Sequence, residues 1–421
     1  MNFGNLLMYT SLLVGLYVTI FFLITILENR RRLHQAPLKG KTPSVSFIVP
    51  CYNEEKNIVQ TIESLLALDY PKNKLQILVI DDGSKDKTFE KAKALEVKGL
   101  VKVYHKKNGG KHTALNYGLA KIQSKFVGTL DADSFVDPQA LKKMLPYFAD
   151  SNVQAVTSSL KVYQPKSIWQ HLQNAEYLLG IYFRKAASLL GSLNVTPGPL
   201  TIFRRSIFEK IGNYHRAYQT EDCEIALRLQ SYNFQIENTA DACVYTVAPN
   251  NFKTLYRQRV RWYQGTLRNT WDYRRLFGRK QGNLGLLVLP ASFFGIFLLL
   301  TIASYSIINT TTNLLNSFFA WQAINFDLSQ FSLNWDWFLV SLNLLTLLGI
   351  TSLFLTALAM LVGQKLSREN FSWKTGKGMF LALLLYIPLY SLWWLGAITQ
   401  VVFHRQPNWT LEKEKANQIS F

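Results

Sequence analysis

The chain has 421 residues, of which 48% are hydrophobic and 17% charged, whereas soluble domains typically carry about 25% charged residues. Lys and Arg total 46 and Asp and Glu 27, so the formal net charge is +19. This composition excludes an intrinsically disordered chain, which requires low hydrophobicity. Three scattered cysteines, Cys51, Cys223 and Cys243, also exclude a disulfide framework or a cysteine-rich zinc site.

Four stretches without a charged side chain predict membrane-spanning helices. Each exceeds the roughly 20 apolar residues that a helix needs to cross a bilayer. The stretches are Asn5–Leu27, Gly285–Ile308, Trp337–Gly363 and Gly378–Phe403. We therefore expect one span in residues 1–28, three spans in residues 284–403 and a tail in residues 404–421. A signal peptide is disfavoured for the first stretch, since it lacks a basic start and Arg30–Arg32 follows it.

Basic residues beside these stretches predict the orientation of the chain. Arg30–Arg32 follows the first stretch, and Arg274, Arg275 and Lys280 precede the second, whereas Asn309–Asp336 contains no Lys or Arg. The positive-inside rule then places residues 29–283 in the cytosol and the N terminus outside. We expect a multi-pass plasma-membrane protein whose basic flanks face anionic lipid. No zinc-finger, helix-turn-helix or RNP signature accompanies the charge, so no nucleic-acid partner is expected.

Strand-like and helix-like segments alternate through the first half of the cytosolic region. The predicted strands are Ser44–Pro50, Leu75–Ile80, Val101–Tyr104 and Phe126–Leu130, and the predicted helices between them are Glu54–Leu68, Asp86–Ala94 and Thr113–Ile122. This alternation predicts an α/β domain with a parallel, doubly wound, Rossmann-like sheet. Ligands bind beyond the carboxyl ends of such strands, where the polar clusters Cys51–Glu55, Asp81–Ser84 and Asp131–Asp133 fall.

The loops at this edge offer carboxylates rather than a glycine-rich phosphate loop. The first loop has no glycine, and Asn108–Thr113 lacks the first glycine of a P-loop. Asp131 and Asp133 could address Mg²⁺ or Mn²⁺, which prefer oxygen ligands and keep positions open for phosphate. A solvated turn is the alternative for this triplet.

Two further motifs lie nearer the second predicted span. Glu221 and Asp222 stand at a predicted helix start, where acidic residues also serve as an N-terminal capping cluster. Gln258–Trp262, with the sequence QRVRW, places a tryptophan beside arginines, a combination that also anchors helices at membrane interfaces.

Together these motifs resemble the processive family 2 glycosyltransferases of the GT-A fold. That family includes poly-N-acetylglucosamine, chitin, hyaluronan and cellulose synthases, which are membrane enzymes. The matching motifs occur in family order over residues 45–273: VPCYNEE at Val49–Glu55, VIDDGS at Val79–Ser84, NGGK at Asn108–Lys111, DAD at Asp131–Asp133, TED at Thr220–Asp222 and QxxRW at Gln258–Trp262. Ser134 departs from the histidine that follows this DAD in some cellulose-type enzymes.

The resemblance implies a role for each matched residue. The implied contacts with uridine and ribose are Tyr52, Glu54 and Asp82, and those with the diphosphate are Lys111, Gln258 and Arg261. The implied metal ligands are Asp133 and, near the ribose, Asp131. The implied catalytic base is Asp222. The implied acceptor side comprises Trp262, Glu221, Gly198, Pro199 and Leu200.

These roles predict an inverting transferase that polymerises a UDP-sugar into a β-linked glycan and passes it across the membrane. The NGGK form and the short tail favour UDP-N-acetylglucosamine. Three alternatives stay open: a hyaluronan- or cellulose-like synthase, a non-processive transferase onto a polyprenyl-phosphate lipid, and an inactive scaffold or transporter. An accessory export or regulatory subunit is a further partner that these alternatives leave open.

Two segments predict amphipathic helices at the membrane interface, Ile168–Leu190 and Tyr263–Phe277. A core helix is the alternative for the first.

Overall fold

The computed structural model describes residues 3–34, 42–97, 100–323 and 343–403. The helices are α1 (Phe3–Glu28), α2 (Ile58–Leu66), α3 (Thr88–Lys93), α4 (Lys111–Leu119), α5 (Ala140–Met144), α6 (Ile168–Leu189), α7 (Ile207–Ile211), α8 (Glu221–Ser231), α9 (Phe252–Asp272), α10 (Leu289–Ala323), α11 (Leu344–Leu366) and α12 (Trp373–Val402). The strands are β1 (Val45–Cys51), β2 (Leu75–Asp81), β3 (Val101–His105), β4 (Phe126–Thr129), β5 (Ser134–Val136), β6 (Val153–Val162), β7 (Thr201–Arg204) and β8 (Gln235–Thr246).

The eight strands form one sheet in the order β3-β2-β1-β4-β7-β6-β8-β5. The first four are parallel, as the alternation predicts. Their register pairs Cys51 with Asp81 and Asp81 with His105, so β1, β2 and β3 end level with one another. The polar loops that follow these strands therefore meet at one edge of the sheet.

The other half of the sheet, which the predicted alternation of strands and helices does not cover, is mixed. β7 runs antiparallel to both β4 and β6, β8 runs parallel to β6, and β5 runs antiparallel to β8. Sequence alternation misses this half because β6 and β8 pair across more than 70 residues of intervening chain. The antiparallel strand β7 carries the Gly198–Leu200 loop to the edge where β4 ends.

Helix α6 packs its apolar side against other helices, as the alternative of a core helix predicts. Its apolar residues pack with those of α1, α11 and α12 in a single buried cluster. The Tyr182 hydroxyl donates to the Thr19 carbonyl of α1 at 2.7 Å. A Cβ placed on Gly363 of α11 would lie 2.0 Å from the Leu178 carbonyl oxygen of α6. Glycine is thus required where these two helix backbones meet.

Within the described part of the chain, four helical segments are long and apolar enough to cross a membrane: Phe3–Glu28, Leu284–Ala323, Leu344–Leu366 and Trp373–Val402. They correspond to the four predicted stretches, although the second is much longer than predicted. Its 40 residues are about 60 Å long at the rise of an α-helix. Residues 309–323 are therefore helical rather than part of a loop. The tail and residues 324–336 of the predicted external segment lie outside the described residues.

Two predicted helices have different bounds in the structure. The helix predicted over Glu54–Leu68 is α2, which begins at Ile58 because Asn53 adopts a φ of 51° and the chain turns before the helix. The helix predicted over Tyr263–Phe277 is part of α9, which begins at Phe252 and ends at Asp272. The Asn251 side chain caps its start by accepting a hydrogen bond from the Thr254 amide. The QRVRW motif consequently lies inside α9.

Candidate active site

The loop after β2 is tied to the loop before α4 through Asp82. This carboxylate is 3% exposed and is ion-paired with Lys106. It also accepts the backbone amides of Gly109, at 3.1 Å, and Gly110, at 2.8 Å. Gly110 has a φ of 91°, which favours glycine, and directly precedes α4. Asp82 therefore fixes the backbone that presents Lys111.

Tyr52 and Glu54 lie on the loop after β1, next to the loop after β2. The Glu54 amide donates to the Thr88 hydroxyl at 2.7 Å, and its carboxylate accepts from Asn57 at 3.0 Å. Both side chains are half-buried at the strand edge. This position is compatible with the base and ribose contacts that the resemblance implies.

Lys111 connects three of the predicted motifs. Its ammonium lies 2.7 Å from Asp131 Oδ1 and 2.9 Å from Glu221 Oε1. Burial opposes its charge, but the carboxylates of Asp131, Glu221 and Asp222 outweigh that penalty and hold the pKa of Lys111 well above its ordinary value. The NGGK, DAD and TED motifs thus share one ionic cluster.

Gly198 closes this cluster from the side of β7. A Cβ at this position would lie 2.8 Å from both Asp131 Oδ2 and Lys111 Nζ. The next residues are held by backbone contacts, since the Ser158 hydroxyl donates to the Pro199 carbonyl at 3.3 Å. Leu200 has a φ of 60° and is 1% exposed in the core. Only its backbone can face an acceptor.

Glu221 and Asp222 begin α8 and differ in acidity. Burial and the charge of Glu221 raise the pKa of Asp222 to about 6. For Glu221, burial is outweighed by its contact with Lys111, so its pKa is lowered. Neighbouring carboxylates with separated pKa values characterise acid–base sites. Asp222 is the group poised to accept a proton near neutral pH.

Asp131 and Asp133 supply carboxylate oxygens at the end of β4. Asp133 is half-buried, and the Ser134 hydroxyl donates to its Oδ1 at 3.2 Å. Among the described residues, no group of three or more His, Cys, Asp or Glu side chains could hold a metal unaided. Mg²⁺ at nucleotide sites is commonly held by one or two carboxylates and completed by substrate phosphates. These oxygens fit such a site.

Helix α9 brings the QRVRW motif to the same cluster. Arg261 Nη1 donates to the Gln219 carbonyl at 2.9 Å. Burial lowers the pKa of Arg261 against the opposing charges of four site carboxylates, Glu221, Asp222, Asp131 and Asp133. Trp262 is half-buried against the sheet core, and Gln258 lies one turn earlier on the helix.

Arg259, inside the same motif, is a residue to which the sequence assigns no role. Its side chain is fully buried and lies 2.7 Å from the Glu176 carboxylate of α6. Its guanidinium is centred 4.2 Å from the Trp262 ring, and its Nη1 donates to Gln258 at 2.7 Å. Arg259 thus contacts two of the predicted site residues, Gln258 and Trp262, and holds them in position. The sequence carries no signal that pairs it with Glu176, which lies 83 positions earlier.

Residues 46–212 match the family described as Glycosyl transferase family 2. A mannosyltransferase from Pyrobaculum calidifontis, solved in complex with GDP-Man and Mn²⁺, has the same fold, with a TM-score of 0.55 over 94% of this chain and 99% of that chain at 17% identity. Residues 46–212 are therefore similar to the family 2 glycosyltransferases, and the chain has the expected GT-A fold.

The chain is also similar in sequence to a particular group of polysaccharide synthases. The poly-β-1,6-N-acetyl-D-glucosamine synthase of Staphylococcus aureus (strain COL) is 31% identical over 274 residues, 63% of this chain and 66% of that protein. The synthase of the same name from Staphylococcus epidermidis is 29% identical over 284 residues, 65% of this chain and 68% of that protein. The chain thus spans slightly under two thirds of the first of these relatives.

Proposed function

We propose that the chain transfers N-acetylglucosamine from its UDP derivative to the end of a growing β-linked polysaccharide. The observation that carries this proposal is the single cluster formed by Lys111, Asp131, Asp222 and Arg261, which combines a candidate base with cations for a diphosphate. The names of the curated relatives support the choice of sugar.

The residues of the cluster divide the chemistry between them. Asp222 would remove the proton of the acceptor hydroxyl as its oxygen attacks the anomeric carbon, and the bond to UDP would break. Arg261 and Lys111 would stabilise the charge that develops on the leaving diphosphate. A divalent metal on Asp133, with Asp131 beside it, would neutralise further diphosphate charge when bound. One displacement inverts an α-linked donor to a β-glycoside.

Trp262 would hold the acceptor end. An indole can stack on the apolar face of a sugar ring, and its position one turn after Gln258 places donor and acceptor contacts on one rigid helix. α9 in turn packs on α12, where the rings of Tyr263 and Trp394 are stacked with centroids 4.5 Å apart. We propose that the product leaves along this side, between the helices that cross the membrane, with the catalytic domain in the cytosol.

The sugar is tested by supplying single labelled donors to the purified full-length chain in lipid nanodiscs with Mg²⁺ or Mn²⁺. UDP-N-acetylglucosamine alone should give a product that a β-N-acetylhexosaminidase degrades, and Asp222→Asn should give none. Polymer from UDP-glucose alone, or a requirement for two donors, would contradict the proposed substrate.

A further inference from the structure

A groove of about 760 Å³ lies where the sheet meets the loop between α11 and α12. It is lined by β6, β8, the start of α6, residues 367–370 and the first turn of α12. None of its lining residues belongs to the Asp222 cluster, which consists of Lys111, Asp131, Asp222 and Arg261. The family 2 chemistry assigns it no role.

The lining of this groove is rich in cations. Its basic side chains are Lys143, Lys161, Lys166, His171, Arg368 and Lys374. Three acids oppose them, and two of these are already paired. Asp241 lies 3.2 Å from Arg368, and Glu369 lies 3.1 Å from Lys161.

Two of the lysines remain available for a ligand. Lys166 and Lys374 are exposed, and neither forms an ion pair with any residue in the described part of the chain. They line the groove from different elements, since Lys166 lies in the loop before α6 and Lys374 lies in the first turn of α12. α12 packs closely on α6, because a Cβ on Gly378 of α12 would lie 2.6 Å from the His171 carbonyl oxygen of α6.

The groove is lined in part by the loop between two apolar helices. Residues 367–372 join α11 to α12, both long and apolar enough to cross a membrane. Phe371 and Trp373 flank the lining residue Ser372 and are 62% and 84% exposed. Exposed aromatic rings beside lysines are typical of the boundary between lipid headgroups and acyl chains.

We propose that this groove binds the phosphate headgroup of an anionic phospholipid. Lys166 and Lys374 would contact the phosphate, and Phe371 and Trp373 would lie against the adjoining acyl chains. The aromatic pair favours a lipid over a soluble phosphate, because a free anion would leave both rings in water. Such a lipid would join the catalytic sheet to the loop between two spans.

The proposal is tested with the full-length chain in detergent, titrated with phosphatidylglycerol or phosphatidylcholine and analysed by native mass spectrometry. The wild type should bind phosphatidylglycerol more tightly than phosphatidylcholine. Each lysine near an anionic headgroup contributes about 1 kcal/mol, or about fivefold in affinity. Lys166→Gln with Lys374→Gln should therefore weaken phosphatidylglycerol binding on the order of twentyfold.

Two matched variants separate this site from general charge effects. Lys74→Gln with Lys102→Gln removes the same charge from exposed positions around β2 and β3, far along the sheet order from β8, and should leave binding unchanged. Lys166→Arg with Lys374→Arg should retain it. Unchanged phosphatidylglycerol binding in the glutamine variant would overturn the proposal. Displacement of the lipid by an equal concentration of inorganic phosphate would instead show a soluble-anion site and would equally overturn it.

Discussion

Asp222 is the residue whose surroundings bear most directly on the chemistry. Burial and Glu221 raise its pKa to about 6, while Lys111 opposes the rise. A base of this pKa is deprotonated at neutral pH and still accepts a proton effectively. The pattern of acids along the chain indicates a cluster here, but the order of their pKa values depends on which carboxylate contacts Lys111.

We expect kcat to fall with decreasing pH through about 6, because protonated Asp222 cannot accept the acceptor's proton. Glu221→Gln should move this limb to lower pH, since it removes a negative charge that raises the Asp222 pKa. The exposed variant Glu209→Gln serves as a control and should leave the profile in place. If the acid limb of the kcat profile in Glu221→Gln stayed at the same pH or moved to higher pH, Asp222 would not be the base that this limb reports.

Asp133 is the position at which we expect a substitution to weaken metal binding and, with it, to remove activity. Asp133→Ala should abolish donor turnover with little effect on unfolding temperature, because a half-buried loop carboxylate contributes little packing. Binding of Mn²⁺ in the presence of UDP, followed by the electron paramagnetic resonance signal of free Mn²⁺, should weaken in parallel. Asp150→Ala is the matched control. Full activity of the wild type in excess chelator would refute metal dependence.

At the scale of elements, the parallel strands could be predicted from sequence because β1, β2 and β4 are largely apolar runs, β3 alternates apolar with polar residues, and polar loops follow them. β1, β2, β3 and β4 begin or end within about two residues of their predicted bounds. The surroundings of α6 could not be predicted in this way. Its amphipathic pattern is the same whether its apolar side faces lipid or other helices, and the contacts of α6 with α1, α11 and α12 are what distinguish the two.

The Glu176–Arg259 pair joins α6 to α9, and we expect it to behave as a coupled unit. Removing one partner of a buried ion pair costs roughly 3–5 kcal/mol, whereas replacing both with apolar residues is often nearly neutral. Glu176→Leu and Arg259→Met should each lower the unfolding midpoint in detergent, and the double variant should recover much of the loss. Additive losses would show that the two charges do not depend on each other.

The contact between α6 and α11 gives a second test at this scale. Gly363→Ala would force a Cβ against the Leu178 backbone, and overpacking of this kind costs about 1–3 kcal/mol. Gly349 lies on the same helix, and a Cβ there would meet no atom within 4 Å. Gly363→Ala should therefore lower the unfolding temperature, and Gly349→Ala should not. Equal effects of the two variants would contradict the close helix approach.

At the scale of the whole molecule, the catalytic sheet and the apolar helices form one packed body. α6 lies between the sheet and three long apolar helices, and α9 connects the Asp222 cluster to α12. Sequence motifs identify the cluster, but its closeness to α12 follows from contacts between residues more than 100 positions apart. This arrangement is what the proposed retention of the product would need.

Product length at low donor consumption tests the central claim most directly. The purified chain in nanodiscs is given labelled UDP-N-acetylglucosamine in large excess, and products are resolved on a gel while released UDP is measured. We expect long polymer from the first detectable turnover in the wild type. Trp262→Ala should release UDP but give only short products or none. Products that lengthen one sugar at a time across all chains, or polymer of wild-type length from Trp262→Ala, would contradict the account.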